Sequence, residues 1–544
     1  MEVESGDARL ERSGHFLPAA SSWRLALLGA LSLFLFTRVI TLTSFPIFND
    51  EAIYLHYAQL IHENWDQNKF VSMGPFYGDW KPPLQYWLAA PVIGFARDPL
   101  LAGRTVALIF SLAGFFGFYV FAKELFGERE AVVAAAFYAF CPAVLFHNNE
   151  FVAETFLFST APVLYWALLK AIRPGRWRWT WAFPAVAFGT ALILFKQSGF
   201  LLLALSVFLP LGRFERDEGK NAASIGGWKW KRLVLNCSLV VVVILAAHYL
   251  SELAFPSAFE AARGKFNQRW VMTGKDLMRF PVDIWLANLK VVRDFIGAYY
   301  SWAVPILFGA FLFYACWKRC FSELALAFMV LAAAAGVTFL LRGFNEYIFN
   351  TAVIVMLLPL LARTAVTAWK FLPKTKNRWA PLSLLALVGA MLVHWVAQIT
   401  LIKLSPAKYL ERSTPWAVAN YLESWSTGFG VKETVALLAK EKRTGVVFTD
   451  TQWGNPRTAL ELYGKNRFPQ LRLISISREF LDPAETRKLR DLARRVGPVR
   501  LVIFSADPSG GRSQWQRNVE SEMCEKRRTI RAVPEQMPIV ICEF

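Results

Sequence analysis

The sequence predicts a polytopic α-helical membrane protein with a small α/β domain at its C-terminal end, and three observations lead there. The 544 residues are 55% hydrophobic and only 19% charged, with a mean hydropathy of +0.34, whereas ordinary soluble domains carry about 25% charge. The apolar residues come in long blocks. Residues 233–250, for example, contain no charge, the neutral Asn236 and His248 being their most polar groups, and about 20 such residues span a bilayer. After Lys403 the pattern changes to short strand-like runs alternating with helical stretches. A soluble cytosolic enzyme, a disordered chain and a disulfide-built secreted module are thereby excluded.

Spanning helices are expected near 23–42, 104–122, 131–147, 154–170, 179–195, 197–212, 233–255, 296–317, 321–341, 346–368 and 381–403. The apolar stretch 84–95 is too short. At 1.5 Å per residue, roughly 14 residues reach about 21 Å of a ~30 Å hydrocarbon core, which suits a re-entrant or interfacial helix. Parity supports that choice. With the N-terminal segment 1–22 cytoplasmic and 84–97 not crossing, the inward loops hold Arg173, Arg176 and Arg178, then Arg213, Arg216, Lys220, Lys229, Lys231 and Arg232. Lys318 and Arg319 follow, then Lys370, Lys374, Lys376 and Arg378. All strongly basic short loops fall on one side, as the positive-inside rule asks. The same loops account for the net charge of +19 better than nucleic-acid binding does. The apolar run 25–40 has no small-residue cleavage site after it, which fits a retained signal anchor.

The outer face then receives loops 43–83, 147–153, 256–295 and 342–346 together with the tail 404–544. Strand-like runs 446–449, 471–476, 501–505 and 539–542 alternate with helical stretches 432–443, 456–464, 478–495 and 512–528. That alternation predicts an α/β domain of about 140 residues, enough for its own core. Cys524 and Cys542 share this tail and are free to pair if it faces an oxidising compartment.

The chemistry-bearing residues gather in the first outer loop. Asp50 and Glu51 are adjacent carboxylates where lipid meets water, followed by an amphipathic helix with Ile53, Tyr57, Leu60 and Ile61 on one face. Asp50 suits an N-cap as well as a chemical role. Farther on, Asp79-Trp80-Lys81-Pro82-Pro83-Leu84 sets a lysine before two prolines at the mouth of a membrane helix. The prolines fix the backbone. Lys81 then either holds a phosphate or carboxylate, or snorkels to the interface. His56 and His62 have poor metal spacing and read as interfacial polar residues.

Asp50-Glu51-Ala52 and Tyr54, the Asp79–Leu84 motif continuing to Tyr86-Trp87, and Arg104 opening the next span together resemble the bacterial membrane glycosyltransferases related to protein O-mannosyltransferases and the lipid A aminoarabinose transferase, of the GT-C class. The resemblance covers the membrane part and is strongest over 50–154. It implies an enzyme that takes a sugar from a polyprenyl-phosphate donor and passes it to a lipid, glycan or protein acceptor on the outer face. The family's acidic pair maps onto Asp50 and Glu51, and its Lys-Pro-Pro-Leu motif onto Lys81 to Leu84. A second acidic position falls on Glu154, where aspartate is usual; Glu150, one turn earlier, shares that role or caps the span. Tyr347 matches a later Arg-Tyr motif, with Glu346 where arginine is usual; Arg342 then supplies the missing charge to a donor phosphate, or is a membrane-edge arginine. Lys196 resembles a Thr-Lys-Gly position, and either acts functionally or pairs with Glu154.

The leaving group in such a reaction is a lipid phosphate, already stable as an anion, so no general acid is required. A base near the acceptor hydroxyl is required, which assigns Asp50 that role and Glu51 the role of orienting Asp50, the acceptor or a water. Lys81 and Arg342 suit the departing phosphate, and a single displacement inverts the anomeric centre. No metal is obligatory, although clustered carboxylates suit a divalent ion. The loop 256–295 mixes Phe259, Phe266, Trp270, Phe280 and Trp285 with Arg263, Lys265, Arg269 and Lys275, as a helix on anionic headgroups would. Two other readings compete: a transporter or flippase of polyprenyl-linked saccharides, which would place ionisable groups mid-membrane, and a membrane anchor for a binding tail. The first is disfavoured by acidic residues gathered at one face, the second by a tail without a phosphate loop, metal spacing or nucleophile constellation.

Overall fold

The computed structural model describes residues 20–71, 81–173, 178–213, 226–255, 270–373, 378–424, 427–450, 455–476, 482–505, 514–534 and 536–544. Asp79, Trp80, Arg176, Arg216, Lys220, Phe259, Arg263, Lys265, Phe266, Arg269, Lys374 and Lys376 lie outside these residues.

Six described helices are long and apolar enough to cross a membrane: Ser22–Thr41, Pro99–Phe126, Trp230–Ala254, Phe321–Leu340, Glu346–Phe371 and Trp379–Leu404. Counting each bent pair as one span raises the number to eight. By length and composition these fall short of the expected eleven, in part because the chain breaks inside several apolar blocks. The block 131–147 bends by 64° between Glu128–Phe140 and Pro142–Asn148. Cys141 is extended there (φ −65°, ψ 117°), as the residue before a proline tends to be. The block 296–317 is overturned as one straight helix: Val282–Tyr300 meets Ala303–Trp317 at 100°, and the chain turns at Ser301 with φ 74°. The blocks 179–195 and 197–212 are short apolar helices separated where Lys196 is extended. The helix Leu84–Ile93 has ten residues, about 15 Å, half the hydrocarbon thickness.

Two helices form the centre. Ala153–Ala171 and Glu346–Phe371 are buried nearly all round, as helices apolar on every face must be. The long helix Pro99–Phe126 reaches the first of them through small residues: a Cβ on Gly114 would lie 2.6 Å from the Ser159 Cα. Small residues permit such close approach between membrane helices.

The tail is a five-stranded sheet of order β2-β1-β3-β5-β4. β1 (Gly445–Asp450) pairs in parallel with β2 (Leu471–Ile476) and β3 (Val499–Ser505), and β5 (Ile539–Glu543) runs antiparallel to β3 and to β4 (Lys526–Ile530). β1, β3 and β5 alternate between two faces. Val447, Leu501, Ile503, Ile539 and Ile541 join the core that continues into the membrane bundle, while Val446, Phe448, Val502, Phe504, Val540 and Cys542 build a second core on the other face. The helix expected over 512–528 ends at Met523, and β4 follows it. Cys524 and Cys542 form a disulfide across a separation of 18 residues. Closing a loop of that size is worth about 3 kcal/mol. Cys524→Ser is therefore expected to make the tail markedly more sensitive to limited proteolysis at unchanged membrane insertion, and wild type is expected to shift on gels when reduced.

Candidate functional site

The first loop enters the helix Asn49–Glu63, whose opening turn carries both carboxylates, and tertiary contacts send them to opposite fates. Glu51 is fully buried against the equally buried Arg104. The guanidinium donates from Nε to Oε1 at 2.9 Å and from Nη2 to Oε2 at 2.8 Å. Its remaining protons go to the carbonyls of Leu42 (2.8 Å), Phe45 (2.9 Å) and Pro46 (3.0 Å). Glu51 in turn accepts the Phe151 N–H at 2.9 Å and the Phe48 N–H at 3.3 Å. Every oxygen direction of Glu51 is therefore spoken for, and a role orienting Asp50 passes through the backbone it fixes.

Asp50 is the accessible member, its side chain 36% exposed and Lys81 22%. Lys81 Nζ lies 3.6 Å from Asp50 Oδ2 and donates to Tyr54 Oη at 2.9 Å. The Tyr54 hydroxyl donates to Asp50 Oδ2 at 3.2 Å, and the Lys81 ammonium also stands 5.1 Å from the Tyr54 ring centre. Asp50 does not cap the helix, since Phe48 is the N-cap. Burial first, then the Asp50 charge, pushes the Tyr54 phenol well above its ordinary value, so Tyr54 stays a donor.

Glu150 and Glu154 do not share one position. Helix Ala153–Ala171 starts after a turn, so the two aim at different partners. Glu154 is paired with Lys196, at the break between two short helices. Glu150 is buried and accepts Tyr421 Oη at 2.8 and 2.9 Å. Burial, then the Glu51 charge, raise its carboxyl well above the usual range. Tyr347 shares a hydroxyl–hydroxyl bond with the same Tyr421, and its ring packs on His147 at 4.8 Å. Tyr421, early in the tail, was not found from sequence; it lies about 270 residues downstream of Glu150, and no local signal marks it. Arg342 stands apart. It pairs with Asp276 at 2.7 Å, and no hydrogen bond or ion pair among the described residues links it to Asp50, Lys81 or Glu154. His56 is mostly buried toward Glu461 and Arg457 of the tail, and that burial lowers its pKa.

Among the described residues no three His, Cys, Asp or Glu side chains gather to hold a metal. Asp50 and Glu51 do not converge either, because Arg104 and two backbone amides occupy Glu51.

The bundle with its short helix behind the first loop and the sheet docked over it is the fold of the GT-C class of membrane glycosyltransferases. ArnT from Cupriavidus metallidurans, solved bound to undecaprenyl phosphate, superposes with a TM-score of 0.57 at 13% identity, covering 96% of this chain and 98% of ArnT. Its apo state gives 0.56 at 14% identity over 97% and 98%. The Archaeoglobus fulgidus oligosaccharyltransferase gives 0.50 at 14% identity, over 89% of this chain and 69% of that one. Residues 80–227 match the sequence pattern of the dolichyl-phosphate-mannose-protein mannosyltransferase family. No curated protein matches the chain by sequence.

Two substitutions separate the buried acids. Glu51→Gln leaves Arg104 charged and underpaired in the interior, which typically costs about 3–5 kcal/mol, and is expected to lower the melting temperature in detergent sharply. Glu150 has a folded pKa above its unfolded value, so its contribution to stability is complete below the ordinary 4.5 and is lost as pH rises through the folded value. Glu150→Gln, an isostere of the protonated acid, is expected to fold and to remove that part of the fall in melting temperature at rising pH.

Proposed function

We propose that the protein is a glycosyltransferase of the inner (plasma) membrane, transferring a hexosyl or pentosyl group from a polyprenyl-phosphate carrier to an acceptor hydroxyl on the outer face. The observation that carries this reading is the Asp50–Tyr54–Lys81 cluster, a carboxylate and an ammonium 3.6 Å apart and open to solvent where the first loop meets a short membrane helix. The undecaprenyl phosphate bound to ArnT, which has this fold, supports a lipid phosphate as the leaving group.

Asp50 takes the proton from the acceptor hydroxyl as its oxygen attacks the anomeric carbon. The bond from that carbon to the phosphate oxygen breaks on the opposite side, inverting the centre. The phosphate leaves with one further negative charge, which Lys81 holds. Glu51 fixes the backbone beneath Asp50, and the Glu154–Lys196 pair and Tyr347 shape the donor pocket with Glu150 at its floor. Arg342, tied to Asp276, reaches a phosphate by exchanging that partner. The Cys524–Cys542 disulfide supports a tail in an oxidising compartment, hence a site facing outward.

The test is transfer from a radiolabelled sugar-phosphate polyprenol in membranes at matched expression. Asp50→Asn is expected to reduce turnover by about 10²–10⁴-fold, the usual worth of a general base, and Lys81→Ala to impair donor use as well as turnover. Transfer surviving Asp50→Asn would remove Asp50 as base. Movement of the lipid across the bilayer without any transferred sugar would favour a flippase.

A further inference from the structure

We propose that the C-terminal domain sets the orientation of the Asp50 carboxylate through two asparagines, Asn455 and Asn49, so that the tail completes the site rather than merely covering it. The inference rests on the reading of Asp50 as the base.

The backbone N–H of Asn455 donates to the Asn49 side-chain oxygen at 3.1 Å. A backbone N–H can only donate, so the carboxamide atom it meets must be the oxygen, and the two ends of Asn49 are thereby told apart. The other end is then the NH₂ group, which faces Asp50 Oδ1 at 3.4 Å. At that length the contact is a weak hydrogen bond. What it supplies is direction: a positive dipole end against one oxygen, while Tyr54 and Lys81 face the other. A carboxamide released from Asn455 could turn its oxygen toward the carboxylate and push it off that line.

The tail is held at this spot by two further contacts. Asn455 Nδ2 donates to the Ile47 carbonyl at 2.9 Å. Gly428, at the start of the tail, approaches so closely that a Cβ there would lie 1.8 Å from the same Ile47 oxygen. Asn49 and Asn455 are 7% and 2% exposed, so water has little room to take over either role. Asn455 and Asn49 are positioning residues: neither touches substrate in this scheme, and both act through Asp50.

Asn49→Asp tests the relay because it keeps the acceptor for the Asn455 N–H and replaces only the donor facing Asp50 with a like charge. Kinetics with the labelled donor are expected to show kcat down by at least about ten-fold with the donor KM within about two-fold. The acid limb of the kcat profile is expected to move to higher pH, since a like charge favours protonated Asp50; the other ionisable groups facing it are Tyr54 and Lys81. Asn455→Ala keeps the N–H but cuts the tie to Ile47, and is expected to lower kcat several-fold without changing KM. It also serves if Asn49→Asp fails to fold. Wild-type kcat and pH profile in both variants, with Asp50→Asn inactive, would overturn the relay and leave Asp50 as base. An active Asp50→Asn would overturn both.

Discussion

The buried bond between Glu51 and Arg104 is the constraint on which the site depends. A single guanidinium, fully buried, joins the helix Pro99–Phe126 to both oxygens of Glu51 and to three carbonyls of the segment before it. Glu51 then reaches the Phe151 amide, so three stretches of chain meet at one ion pair. Removing two charges from water is costly, and such a pair is tolerable only because nearly every proton and lone pair finds a partner. Its effect is to hold rigid the backbone from which Asp50, the preceding residue, projects.

Environment, not residue type, divides the work among the acids. Glu51 is consumed by Arg104, Glu154 by Lys196, and Glu150 lies under a tyrosine hydroxyl with its carboxyl pushed up by burial. Of the four acids Glu51, Glu154, Glu150 and Asp50, Asp50 combines a cation within 4 Å with substantial exposure. A base must meet its substrate, and the other three are closed off from one by burial.

The α/β tail fits the same logic. Its sheet has two apolar faces. One is closed by its own helices, while the other shares a continuous core with the membrane bundle. Lys465 adds an ion pair to Glu63 of the first-loop helix, and Tyr463 reaches Asp98. A sheet so docked cannot move freely over the first loop, and contacts that restrain Ile47 and Asn49 are the natural product of that burial.

Much of this was legible in the chain itself. Block length and charge told of the membrane helices, and short strand-like runs between helical stretches told of four strands, because apolar surface must be buried whatever the partner. β4 escaped because Lys526, Arg527 and Arg528 give it no apolar alternation; it is an edge strand, where exposed charge is tolerated. The bends at Cys141 and Ser301 escaped because a break in an apolar block leaves its hydropathy unchanged. The motif residues Asp50, Glu51 and Lys81 were also visible, since each carries its chemistry in its own side chain. Their partners were not. Whether Glu51 meets Arg104, Glu150 meets Tyr421 or Asn49 meets Asn455 depends on contacts across 53, 271 and 406 positions. A sequence fixes which groups must be paired; only the packed chain decides with which.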